Sequence, residues 1–220
     1  FIWISAGTAT MSITQTKHDA KLAYRAHLIT RTSEKLDRFF MMRDTLLSIV
    51  TNDLSPIYYK KGANEGGRYY VDEVWYSYPN GRIHIRQRYK NRDGIVTEKT
   101  YDSSKCLYDM MSMLLRARSF RAEDFRVGEK FQLPMADGHK VEDVTLIYRG
   151  RENFQMKSNG TNYRCLVFSF VEYPDGEEKE IIRFYISDDM NHIPVRLDMY
   201  LRFGVAKAYL TNTKGLRHQK

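Results

Sequence analysis

Six histidines, His18, His27, His84, His139, His192 and His218, are the side chains best able to ligate a metal or move a proton, and no two lie three or four positions apart. No helix can therefore present a pair of imidazoles on one face. Asp188 and Asp189 followed by His192 bring carboxylate and imidazole donors together in one short stretch. They stand in a turn ahead of Pro194, where Asp and Asn side chains cap backbone groups, and the turn accounts for every one of them. Neither a metal nor another cofactor is expected. Glu177, Glu178 and Glu180 follow the Pro174-Asp175-Gly176 turn with no partner acid or base, and read as exposed hairpin charge. The sequence holds no G-x-G-x-x-G, G-x-x-x-x-G-K-[ST], H-E-x-x-H or G-x-S-x-G. No catalytic residue is assigned, and a binding or structural role is favoured over an enzymatic one.

Binding chemistry has more support. Arg82 to Tyr89 and Tyr58-Tyr59-Lys60-Lys61 interleave cations with aromatics, as single-strand nucleic-acid binders do. The balance of 35 Lys and Arg against 27 Asp and Glu gives +8, yet no run of five consecutive basic residues occurs. Scattered charge of this kind reads as a solvated sheet surface, so nucleic acid is an unfavoured partner. Met110, Met111 and Met113 offer a soft apolar lining instead, because methionine repacks at little cost. Candidate contacts for an apolar ligand are Met110, Met111, Leu114 and Leu115 from a helix, with Trp75, Leu197, Met199 and Leu201 from strands. The alternative is a helix that fills its sheet completely, leaving plain core.

These side chains need elements to hold them. Lys105 to Arg118 reads as a helix behind the N-cap candidates Asp102, Ser103 and Ser104, with Lys105, Asp109, Ser112 and Arg116 forming a narrow polar stripe. The rest of its circumference is mainly apolar, which requires enclosure by a sheet face. A shorter helix is predicted near 33–41, with Arg43 to Val50 returning as a strand. Val195, Leu197, Met199, Leu201 and Phe203 alternate with polar residues, the period of a half-buried strand. Ile83, Ile85, Gln87 and Tyr89 share one face of another strand, while Arg82, His84, Arg86, Arg88 and Lys90 share the side that must be solvated or bound to anions. Pro79-Asn80-Gly81, Asn91 to Gly94, Ala136-Asp137-Gly138, Ser158-Asn159-Gly160 and Pro174-Asp175-Gly176 punctuate these runs as hairpin turns.

The expected fold is mainly β: one strongly curved antiparallel sheet or open half-barrel of roughly nine to twelve strands wrapping the helix 105–118. A single domain over 1–220 is expected, since a boundary within 119–131 would part the apolar helix from its strands. No stretch approaches the roughly 18 apolar residues of a membrane span. Cys106 and Cys165 lack C-x-x-C spacing and are expected to be free, buried thiols. Phe1 opens the chain, so an upstream segment is expected, and Phe1 to Ile13 reads as a strand rather than a signal peptide.

The C-terminal half carries a resemblance. Asp124-Phe125-Arg126-Val127-Gly128-Glu129-Lys130-Phe131, Gly150-Arg151-Glu152, Gly160 to Leu166 and Tyr185 to Leu197 together resemble the domain of unknown function family 3108, as do Ile4 to Thr10 and Leu54 to Tyr58 nearer the start. That resemblance implies an exported bacterial protein of the periplasm or outer envelope, made with a signal peptide, whose fold is similar to the lipoprotein-carrier half-barrels. It implies a lipid or other apolar small molecule, or an envelope protein, as partner. An uncharacterised envelope enzyme is the alternative, and a nucleic-acid binder stands behind both.

Overall fold

The computed structural model describes residues 7–38, 41–156, 160–201 and 204–218, without the side chains of Ala122 and Leu201. The protein is mainly β, with its strands in two antiparallel sheets rather than the one expected. Seven strands form the first in chain order: β1 (Gly7–His18), β2 (Lys21–Thr32), β3 (Met42–Thr51), β4 (Pro56–Glu65), β5 (Arg68–Ser77), β6 (Ile83–Lys90) and β7 (Val96–Ser103). The second is likewise a meander of β8 (Lys130–Ala136), β9 (Val141–Gln155), β10 (Asn162–Glu172), β11 (Lys179–Ser187), β12 (Pro194–Leu201) and β13 (Gly204–Tyr209). The first sheet stops at β7 for a physical reason. Val96-Thr97-Glu98-Lys99-Thr100-Tyr101-Asp102 is exposed along its length, and a charged edge with no apolar row gives a further strand nothing to bury.

The chain forms two compact units, Phe1–Arg116 with Pro134–Glu142, and Ala117–Leu133 with Asp143–Lys220. Turn chemistry closes the hairpins of both. Asn80 and Gly81 between β5 and β6, and Asp175 and Gly176 between β10 and β11, all have positive φ, the backbone that a tight two-residue turn between twisted strands demands. Ser158 and Asn159, and the opening residues Phe1 to Ala6, lie outside the described residues.

In the first unit, alternation decides which face is covered. Ala26, Ser48, Tyr59, Val74 and Gln87 stand in one cross-strand row on β2 to β6, and all are buried. Over this face lies α2 (Met110–Ala117), whose Met111 and Leu115 join Leu46, Val50, Tyr76, Ile83, Ile85 and Leu107 in a single apolar cluster. The helix is enclosed as its composition required, but it begins five residues later than the periodicity predicts. Residues before it are extended: Tyr108 N–H donates to the Pro134 carbonyl at 2.9 Å and Ala136 N–H to the Tyr108 carbonyl at 2.7 Å.

Asp109, rather than Asp102, Ser103 or Ser104, is the N-cap. Its Oδ1 accepts from the N–H groups of Met111 and Ser112, both at 2.9 Å, and Ser112 Oγ accepts from the Asp109 N–H at 2.9 Å. This reciprocal pairing satisfies donors that a helix start otherwise leaves bare. Oδ2 accepts from the Ser48 hydroxyl at 3.0 Å, so the cap also ties the helix to β3. The polar stripe is thus split, with Asp109 and Ser112 wholly buried and Arg116 exposed. The late start leaves Cys106 outside the helix and exposed, correcting its expected burial, while Cys165 on β10 is buried; neither forms a disulfide. The helix near 33–41 is reduced to α1 (Glu34–Asp37), and Phe39 and Phe40 lie outside the described residues.

The second unit has an aromatic core in which Tyr148, Leu166 and Phe168 are buried against Phe125, Phe131, Phe184 and Ile186. A second cluster gathers Met156, Cys165, Val167, Tyr185 and Val195. On β12 the polar face is not simply solvated, because Asp198 is buried in an ion pair with Arg196 and lies 3.6 Å from Lys207.

Candidate functional site

The face of the first sheet opposite α2 carries large apolar groups where a solvated strand surface would be polar. Arg25 on β2, Ile49 on β3, Tyr58 on β4, Trp75 on β5 and Arg86 on β6 are successive register partners, so antiparallel pairing sets all five side chains on one face. Trp75 is flanked by Val74 and Tyr76, which turn to the helix side, and strand alternation sends its indole the other way. Its ring centroid lies 5.5 Å from that of Tyr58, and the Arg86 guanidinium sits 4.0 Å above it. Ile49, Ile57, Tyr58 and Trp75, with His18 and Tyr76, line an open groove of about 380 Å³. That volume lies within the range of small-molecule sites.

Charge surrounds this apolar strip in an ordered way. Glu73 accepts from the Tyr58 hydroxyl at 2.6 Å and from Arg88 at 2.7 Å. Burial works to raise the Glu73 carboxyl, but these two donors and Lys60 outweigh it and hold it below its ordinary value. Burial, with the neighbouring Glu73 charge, pushes the Tyr58 hydroxyl up. Tyr58 is therefore a fixed, neutral donor and not a base. Of the cations expected to be solvated or bound to anions, Arg88 pairs with Glu73 and Glu98, Arg86 lies over Trp75 and 3.9 Å from Glu98, His84 lies 2.9 Å from Asp102, and Arg82 and Lys90 are exposed. Arg25 differs, being exposed and without an ion-pair partner among the described residues.

Within the first unit the expected lining residues stand on different faces of the sheet. Met111 and Leu115 are 0% and 7% exposed within the apolar cluster, with Leu114 packed against it. A side chain with no accessible surface borders no space that even water enters, so Met111 is core. Met110 turns outward at 38% exposure. Trp75 lies across the sheet from the helix. Leu197 and Met199 are half-buried on β12 in the second unit, and the side chain of Leu201 lies outside the described residues. Sequence reasoning missed Ile49, Ile57 and Arg25 because each is unremarkable alone; the cross-strand register joins Ile49 and Arg25 to Trp75, and Ile57 stands at the register shift between β3 and β4.

The donor set of Asp188, Asp189 and His192 is dispersed by its own turn. Asp188 accepts from Arg151 at 3.0 Å and Arg164 at 2.6 Å, and Asp189 Oδ1 caps the Ser187 hydroxyl and the N–H groups of Asn191 and His192. His192 Nδ1 lies 2.7 Å from the Arg118 carbonyl.

Sheet order defines a mainly β protein built of two antiparallel meanders. The chain belongs to the family described as Protein of unknown function (DUF3108), whose model matches residues 1–211. A solved structure described as a beta-barrel-like protein of domain of unknown function DUF1849, from Brucella abortus, superposes with a TM-score of 0.52. The match covers 91% of this chain and 86% of that one at 10% identity, a likeness of fold. No curated protein matches the sequence. Among the described residues no helix is long and apolar enough to cross a membrane.

Proposed function

We propose that this chain is an exported envelope protein that binds an amphipathic, anionic molecule such as a fatty acid or lysophospholipid, without catalysis. One observation carries the reading: an apolar row of Ile49, Tyr58 and Trp75 ends in Arg25, which has no ion-pair partner among the described residues. An acyl chain laid along the row buries methylenes at about 0.8 kcal/mol each, and an anionic head meets a cation that gives up no existing partner. The basic balance of the whole chain draws such a ligand in. Export is what membership of this family implies. Relative to the sequence expectation, the ligand moves from the helix to the opposite face of the sheet.

Trp3 and Trp75 are the chain's two tryptophans, so a Trp3→Phe protein reports on Trp75 alone. Titration with laurate should shift its emission to shorter wavelength and saturate. Arg25→Glu should weaken laurate binding while sparing a neutral alkyl glycoside. Laurate at about 100 times its dissociation constant should add roughly 2.7 kcal/mol to stability. Unsaturable emission changes together with an unmoved melting temperature would sink the reading.

A further inference from the structure

On the helix side of the first sheet, beyond the apolar cluster, the lining changes from apolar to ionisable. Asp44, Lys61, Glu65, Tyr70 and Asp72 project from β3, β4 and β5, and the loop between β8 and β9 sets Asp137 and His139 beside them. Lys61 is committed to its own strands, donating to Tyr70 at 2.6 Å and Glu65 at 3.1 Å. Asp72 is only 3% exposed, and the one hydrogen-bonding partner of its carboxylate among the described residues is His139.

We propose that Asp72, Asp137 and His139 bind a divalent transition-metal ion of the zinc class. Nδ1 of His139 lies 3.3 Å from an oxygen of Asp72 and 3.3 Å from an oxygen of Asp137, and the three donor atoms lie within 4.8 Å of one another. As hydrogen bonds these distances are long, since charge-assisted N–H···O contacts run about 2.7–2.9 Å, and one ring N–H cannot serve two carboxylates well. As ligand-to-ligand edges they fit. Zinc bonds of about 2.0–2.2 Å in a tetrahedron place neighbouring donors about 3.3–3.6 Å apart. Two carboxylates and a neutral imidazole form a borderline donor set, and three protein ligands leave a fourth position for solvent or an incoming group.

The surroundings hold the donors where a metal needs them. The same Asp137 Oδ1 that lies 3.3 Å from His139 Nδ1 also accepts from the N–H groups of His139 and Lys140 at 2.9 and 2.8 Å, which fixes its carboxylate. Gln87, buried on β6, donates through Nε2 to the carbonyls of Asp137 and Lys140 at 2.6 and 2.8 Å, pinning the loop to the sheet. The Tyr89 ring packs 5.1 Å from the His139 ring. Gly138 lets the loop lie directly on β5: a Cβ there would stand 2.6 Å from Asp72 Cα and 2.4 Å from its carboxylate. Four carboxylates, Asp44, Glu65, Asp72 and Asp137, stand at this end of the sheet with Lys61 and Arg68 in a chain whose net charge is +8, a local excess of negative charge that favours a cation.

The test uses the full chain in a Cys106→Ser background, which removes the exposed thiol as a competing ligand. After chelator treatment and buffer exchange, Zn²⁺ is titrated by calorimetry and Co²⁺ by visible absorption. The expected result is one equivalent bound, with the intense visible bands of tetrahedral Co²⁺. His139→Gln and Asp72→Asn should each weaken Zn²⁺ at least tenfold. The His139 side chain is 46% exposed, so its variant should keep the fold, as circular dichroism can verify, and it carries the test if Asp72→Asn misfolds. Absence of stoichiometric binding overturns the proposal, as does binding that His139→Gln leaves unchanged.

Discussion

Asp109 offers the sharpest test of how the first unit is held together. Burial pushes its carboxyl up to about 6 from the ordinary 3.8, against the pull of the Ser112, Ser48 and Met111 donors. A folded-state pKa above the unfolded value means that the native state holds the proton more tightly. Its stability contribution is then complete below pH 3.8 and is lost as pH rises toward 6. Asp109→Asn should remove this loss with little other change. The Asn carbonyl oxygen can take the place of Oδ1 and accept both helix N–H groups, and its amide can donate to Ser48 Oγ where Oδ2 now accepts. Asn is also as good an N-cap as Asp.

Integrating proton linkage between the two pKa values, the stability of the variant relative to wild type should rise by roughly 2 kcal/mol from pH 4 to pH 7.5. Asp44, also raised to about 6 by burial and by Glu65, is present in both proteins and cancels in the difference. The assay is urea unfolding of both proteins at four pH values, followed by circular dichroism. A difference that stays flat with pH would refute the argument that Asp109 is ionised at a cost in the native state. Asp109→Ala supplies the contrast. It loses the cap and leaves the buried Ser48 hydroxyl unpaired, so it should be destabilised by about 2–4 kcal/mol at pH 4.

Met111→Ala empties a fully enclosed site and should cost about 2–5 kcal/mol in the same unfolding assay, whereas a cost below about 1 kcal/mol would show Met111 to border open space. A maleimide reagent should modify Cys106 within minutes in the native protein and Cys165 only in denaturant, without reductant in either case. Two fast native reactions would place Cys165 outside the core.

Much of the architecture was legible in local chemistry. Asn-Gly and Asp-Gly pairs tolerate positive φ wherever they occur, so the turns at Asn80-Gly81 and Asp175-Gly176 follow from two residues each. Alternation of period two marked β6 and β12, and an apolar circumference marked a helix that needs cover. The start of that helix was not legible. Asp102, Ser103, Ser104 and Asp109 are all capable caps, and the choice fell to Asp109 because Ser48, 61 positions away, pairs with it while Tyr108 is drawn into a bridge with Met135.

The candidate sites divide along the same line. The sequence by itself determined that the chain is mainly β, that it lacks the common catalytic motifs, and that Trp75 sits on a strand, because these depend on composition and on residues adjacent in the chain. Tertiary structure alone decided that Trp75 faces away from the methionine-rich helix and toward Ile49, Tyr58 and Arg25. It alone brought His139 to Asp72, 67 positions apart. The physical reason is register: a shift of one residue between paired strands turns every side chain to the other face, and turns, bulges and burial summed over the whole sheet fix that register.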